Sequence, residues 1–186
     1  MWKDKDSLRR EMRALRDGAP DRALRDAKLF QNFFSLPQVQ EADSFFVYYS
    51  FGSEADTHAV ITRLLSEGKR VCLPRVEGRE MVFVPYFGQA LERGRFGIGQ
   101  PQGEAADFPP DVVVLPMLAW NGLYRLGYGG GYYDRFLEKT AHTCKIGLAY
   151  AFQRTDAPFM QAHDIPADIL VTDEKIYFTG NTEDSE

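Results

Sequence analysis

The chain has 186 residues, 44% of them apolar and 13% aromatic, which suits one domain with a real core. Its net charge of −5 argues against a general nucleic-acid binder, usually a basic protein, but says nothing against a local anion site. No apolar run approaches a membrane span, the charged start does not read as a signal peptide, and Cys72 and Cys144 lack C-x-x-C spacing, so a reduced, cytoplasmic protein is expected.

A helix is predicted over residues 2–16, where Leu8, Met12 and Leu15 recur at helical spacing, with Gly18 as its stop. Pro20 starts a second helix that runs to about Phe34. Residues 44–49 (S-F-F-V-Y-Y) read as the first strand. Asp56 or Thr57 caps a helix with apolar positions Val60, Ile61, Leu64 and Leu65, ended by Gly68. Residues 70–73 and 81–86 make two more strands, and 88–100 a loop or short helix. The apolar run 112–115 is the central strand, followed by a glycine-rich turn and a helix opening near Tyr133. Residues 145–149, 169–171 and 175–178 supply the remaining strands. This alternation predicts an α/β fold: a single domain over residues 1–180, a mainly parallel sheet with helices on both faces, and a glycine-rich phosphate loop after a central strand. Residues 181–186 are expected to be a frayed tail.

The segment R-L-G-Y-G-G-G-Y-Y-D-R carries the most chemistry. Gly127, Gly129 and Gly131 recur at alternate positions, with Gly130 between the last two. Glycines let backbone N–H groups approach phosphate oxygens closely, and a helix start adds unpaired N–H groups. No Lys-Ser/Thr pair closes the segment as a Walker loop would, and Tyr132 stands where G-x-G-x-x-G needs glycine. Asp134 in the first helical turn would repel phosphate unless a divalent cation bridges them, while Arg125 and Arg135 oppose the phosphate charge. The competing reading is a plain surface turn, with Asp134 favoured by the helix dipole.

The same segment resembles the signature of the 5-formyltetrahydrofolate cyclo-ligase family. K-D-S-L-R at 5–9, Y-S-F-G-S-E-A-D-T at 49–57, G-I-G-Q-P at 97–101, G-L-A-Y at 147–150 and D-I-P-A-D at 164–168 are similar to further family segments, in the family's order. The resemblance implies ATP-dependent closure of 5-formyltetrahydrofolate to the 5,10-methenyl form, with ATP and Mg²⁺ required. It implies that Lys5, Arg9, Arg125, Leu126, Gly127, Tyr128, Gly129, Gly130, Gly131, Tyr132 and Tyr133 meet ATP. It also implies Tyr132 as the catalytic phenol, Tyr49 and Glu54 as folate contacts, and Asp134 and Asp168 as Mg²⁺ ligands. The expected partners are 5-formyltetrahydrofolate and ATP, with no nucleic acid or membrane, and a monomer as the working unit.

Each role has a plainer rival. Lys5 and Arg9 lie four apart on a charged helix and suit a solvated face. Tyr133 suits packing, Asp168 a turn at a strand end, and Trp120 the core as readily as a folate pocket. The chain departs from the family at A-W-N (119–121), where many members have A-F-D, and at Gln100, where many have an acid. Two other functions stand as alternatives: a sugar-phosphate isomerase on a similar scaffold, or a non-catalytic folate or nucleotide binder.

Overall fold

The computed structural model describes residues 4–140 and 142–180. The predicted helix start at residues 2–3 and the tail at 181–186 lie outside the described residues. Helix α1 (Lys5–Asp17) begins at Asp4, whose carboxylate accepts the amides of Asp6 and Ser7 at 3.0 and 2.9 Å, and stops at Gly18. Helix α2 (Arg22–Phe34) starts two residues after Pro20, and a short α3 (Pro37–Glu41) begins on its own proline.

Strand β1 (Ser44–Val47) is followed by α4 (His58–Ser66), whose first amide donates to the Asp56 carboxylate at 3.0 Å. Strand β2 (Arg70–Glu77) extends beyond the predicted end at Leu73, because it pairs antiparallel with β3 (Glu80–Tyr86) across the turn at Gly78. A small ribbon of β4 (Glu92–Arg93) and β5 (Gly99–Gln100) encloses the 3-10 turn Arg95–Gly97. Strand β6 (Val112–Leu115) agrees with its prediction.

The next segment departs from expectation. The glycine-rich segment does not directly follow the central strand. A hairpin of β7 (Ala119–Asn121) and β8 (Tyr124–Leu126) intervenes, turning at Gly122, where φ is 58°. Asn121 pairs with Tyr124, so the two-residue loop is Gly122–Leu123, with glycine at the first central position where a left-handed φ is needed. Helix α5 (Tyr132–Glu138) follows, then β9 (Cys144–Leu148), β10 (Ile169–Val171) and β11 (Ile176–Phe178).

The main sheet has seven strands in the order β11-β10-β9-β6-β1-β2-β3. The five inner strands run parallel, and only the edge strands β3 and β11 are antiparallel. Alternation of side chains gives the sheet two buried faces. On one, Phe45, Val71, Val112 and Ile146 pack under α2, α3 and α4 through Phe33, Val39 and Leu64. On the other, Phe46, Cys72, Phe83 and Val113 pack under Leu137 of α5. Each fully buried side chain of this size contributes about 1.5–3 kcal/mol. Asp111 laces the amino ends of β1 and β6, accepting the amides of Asp43 and Ser44 at 2.8 and 3.0 Å. No described helix is long and apolar enough to cross a membrane.

Candidate active site

The strand order changes direction between β1 and β6: the chain moves outward from β1 to β2 on one side and returns to β6 on the other. Open α/β sheets bind ligands at the carboxyl ends of strands beside such a point. Here Glu54 lies beyond β1, and Pro116, the hairpin and the glycine bend lie beyond β6. They line one cavity of about 800 Å³. Its wall carries Lys5, Arg9, Arg13, Arg16, Arg95 and Arg125 against Asp17, Glu54, Asp134 and Asp164. Cations therefore predominate locally in a chain that is acidic as a whole.

The bend itself needs glycine. Gly129 has φ 101°, and a Cβ there would stand 3.3 Å from Cζ of Arg9. A Cβ on Gly130 would lie 2.7 Å from the Tyr132 ring. Arg9 comes from α1 and donates through Nε to the Gly127 carbonyl at 3.0 Å, while its Nη1 pairs with Asp6 at 2.6 Å. Lys5, one turn earlier, donates to the Gln161 side chain at 2.9 Å and stands 3.8 Å from the Asp164 carboxylate.

Arg125 is nearly buried, its side chain 5% exposed, and its Nη2 donates to Asp134 at 2.8 Å. Its Nε is buried without a hydrogen-bond partner. Its Nη1 lies toward the bend, 3.2 Å from where a Cβ on Gly127 would stand, so the guanidinium sets positive charge beside the bend. The Tyr133 ring lies 5.5 Å from the Arg125 guanidinium, and burial, aided by the Glu54 charge, drives its phenol far above the ordinary value. Tyr132 differs: it lines the cavity, and its hydroxyl accepts from Arg95 at 3.1 Å. The Glu54 carboxylate accepts the Phe51 amide at 2.8 Å and the Tyr128 hydroxyl at 2.5 Å.

The structure thus brings together Lys5, Arg9, Glu54, Arg125, residues 127–131, Tyr132, Tyr133 and Asp134. It excludes two expected residues. Asp168 stands at the amino end of β10, away from the cavity wall, and accepts from the Lys145 amide at 2.7 Å and its ammonium at 3.0 Å. It precedes its strand, so the sheet carries it to the edge opposite the ligand side. Tyr49 stacks on His58 with ring centroids 4.2 Å apart, beside a separate small cavity. β1 ends at Val47, and Tyr49 lies past it, packed toward α4 rather than into the larger cavity.

Several further side chains have structural jobs. Leu126 packs its side chain with Leu8, Met12 and Phe159, so only its backbone serves the bend. Trp120 is buried and donates to the Tyr150 carbonyl at 3.1 Å. Arg135 donates to the Arg79 carbonyl at 2.7 and 3.1 Å.

The sequence reading missed Arg13, Arg16, Arg95 and Asp164. The first two were findable, because Lys5, Arg9, Arg13 and Arg16 repeat along one helical face. Among the described residues no three His, Cys, Asp or Glu side chains form a cation cage. Mg²⁺ usually keeps waters and needs only one or two carboxylates plus phosphate oxygens. Asp134 fits that pattern; a metal site made of protein alone does not.

The protein is an α/β domain whose parallel-cored sheet carries a cationic, glycine-lined cavity at its switch point, an arrangement suited to an anionic ligand. A profile of the 5-formyltetrahydrofolate cyclo-ligase family matches residues 1–173, and the chain belongs to that family. It is accordingly an ATP-dependent carbon–nitrogen ligase of folate one-carbon metabolism.

The 5-formyltetrahydrofolate cyclo-ligase of Escherichia coli (strain K12) is 34% identical over 154 residues, covering 77% of this chain and 85% of the relative. The structure of Aquifex aeolicus 5,10-methenyltetrahydrofolate synthetase superposes with a TM-score of 0.83 at 32% identity, covering 98% of this chain and 96% of that one. A Mycoplasma pneumoniae 5,10-methenyltetrahydrofolate synthetase, 24% identical, shares the fold with a TM-score of 0.73 over 92% of this chain and 99% of its own. The isomerase and non-catalytic readings find no support in these matches.

Proposed function

We propose that the cavity converts 5-formyltetrahydrofolate to 5,10-methenyltetrahydrofolate as ATP becomes ADP and phosphate. The formyl carbonyl is a poor electrophile because nitrogen donates into it, and its oxygen is a poor leaving group. Transfer of the γ-phosphoryl group to that oxygen, breaking the bond to ADP, answers both problems. N10 then attacks the formyl carbon within the same molecule, its proton passes to the departing phosphate or to water, and the C–O bond breaks to release phosphate.

The protein's task is to position groups and stabilise charge. Backbone N–H groups of residues 127–131 receive the triphosphate, with Arg9, Lys5 and Arg125 opposing its charge. Tyr132 donates its hydroxyl proton to the oxygen on which charge develops, and Arg95 fixes that hydroxyl from behind. Glu54 accepts the N–H donors of the pterin edge. Asp134 would hold a Mg²⁺ that neutralises phosphate charge when bound. The working unit is proposed to be a monomer, since one chain walls the cavity, and its setting the cytoplasm, which suits unpaired Cys72 and Cys144.

The observation that carries this reading is the convergence of α1, the Glu54 loop and the glycine bend on a single cavity. The test is to incubate the protein with 5-formyltetrahydrofolate and Mg²⁺, with and without ATP, and follow methenyl absorbance. Product that forms only with ATP is expected. Product without ATP, or none at all, ends the reading.

A further inference from the structure

Tyr128 lies inside the glycine bend, yet its hydroxyl is engaged with the opposite wall. Two bonds fix its direction. Arg16 can only donate, and its Nη1 reaches the Tyr128 oxygen at 2.9 Å. The phenol's single proton therefore faces Oε1 of Glu54 at 2.5 Å. Burial, then the Glu54 charge, push this phenol far above its ordinary value, so the proton stays in place.

Arg16 is a rigid post, 4% exposed. It donates through Nε to the Ser53 hydroxyl at 3.0 Å and through Nη1 to the Met117 carbonyl at 3.1 Å. Ser53 in turn donates to Asp17. The Tyr128 ring also lies 5.7 Å from the Arg16 guanidinium and 5.8 Å from that of Arg13.

On the other side, Oε2 of Glu54 accepts the Phe51 amide at 2.8 Å. A carboxylate held at both oxygens has its plane fixed. Each oxygen keeps one further acceptor direction for a ligand.

We infer that Tyr128 is a positioning residue that sets the plane of Glu54 for the reduced folate, with Arg16 as its anchor. The inference rests on the reading that Glu54 takes the folate and the bend takes the nucleotide. It adds a consequence: the same residue belongs to both sites. A nucleotide that settles the bend settles the Tyr128 hydroxyl and hence Glu54, so each ligand tightens the other by an equal factor.

Tyr128→Phe tests this, because it keeps the ring against Arg13 and Arg16 and deletes only the hydroxyl. The KM for 5-formyltetrahydrofolate should rise about tenfold, with kcat and the affinity for a non-hydrolysable ATP analogue measured without folate within roughly twofold of wild type. In a Glu54→Gln background the same change should add no further loss. A non-hydrolysable ATP analogue should raise folate affinity in wild type and no longer do so in Tyr128→Phe. An unchanged folate KM, or an equal loss of ATP-analogue affinity measured without folate, overturns the inference while leaving the reaction standing. A wild-type protein that forms no methenyl product is a different result, and removes the reaction and this inference together.

Discussion

Arg125 and Asp134 stand at the two ends of the glycine-rich segment and meet across it in a 2.8 Å ion pair, with the arginine almost out of solvent. The pair sets two demands on Asp134. It orients the cation facing the bend, and it is the acid placed to share a metal with phosphate oxygens.

These demands predict opposite results for Asp134→Asn. Loss of the ion pair alone would free Arg125 and tighten ATP. Loss of a metal ligand would raise the Mg²⁺ concentration needed. The expected outcome is the second, a rise of about tenfold or more in the Mg²⁺ midpoint with folate affinity unchanged. A Mg²⁺ titration of activity, beside calorimetric folate binding, decides it. Asp168→Asn, at the far edge of the sheet, should leave the Mg²⁺ midpoint where it is.

Gly129→Val should abolish nucleotide binding. The residue would hold a left-handed φ at a cost of about 1–3 kcal/mol, and its side chain would press on Arg9 and fill the bend. Calorimetry with an ATP analogue should show affinity lost, while circular dichroism shows the sheet intact. Wild-type ATP affinity in this variant would remove the bend from the nucleotide site.

Tyr132→Phe should act on the chemical step. The hydroxyl held by Arg95 is proposed to stabilise charge on the formyl oxygen, and loss of such a donor costs about 10²–10³ in kcat. Both KM values should move little. A variant that binds poorly but turns over normally would make Tyr132 a binding residue instead.

Asp111→Ala should lower the melting temperature in a pH-dependent way. Burial opposes ionisation of Asp111, but the amides of Asp43 and Ser44 outweigh it, so its pKa is lowered in the folded protein. A lowered pKa gives stability that is complete above the ordinary aspartate value of about 3.9 and fades as pH falls through the folded value. The gap between wild type and variant should thus hold at neutral pH and close in acid. A gap that widens in acid would contradict the assignment.

The main sheet could be read from local pattern because its inner strands are continuous apolar runs. Val112–Leu115 is bounded by Asp111 and Pro116, so its limits matched. The extension of β2 past Leu73 depends on pairing with β3, which is a tertiary fact. Ala119–Asn121 carries a family departure in its sequence, but its pairing with Tyr124–Leu126 around Gly122–Leu123 is set by the hairpin. At the site, the glycine bend and its flanking charges followed from residue type. Asp168 did not, because strand direction puts a residue that precedes β10 on the far edge; Tyr49 lies past β1 on the ligand edge but packs toward α4 against His58, a tertiary choice of face. Arg95 and Asp164 carry no local mark, and only folding brings them to the cavity.

Helix α1 rests on the hairpin through Leu8 and Met12, outside the two layers that bury the sheet. Grip and folding energy are thereby housed in separate parts of the molecule. Exchanging Lys5, Arg9 and Arg13 on that one rod, with the buried Arg16 kept, can retune which anions the enzyme prefers while the scaffold beneath it melts as before.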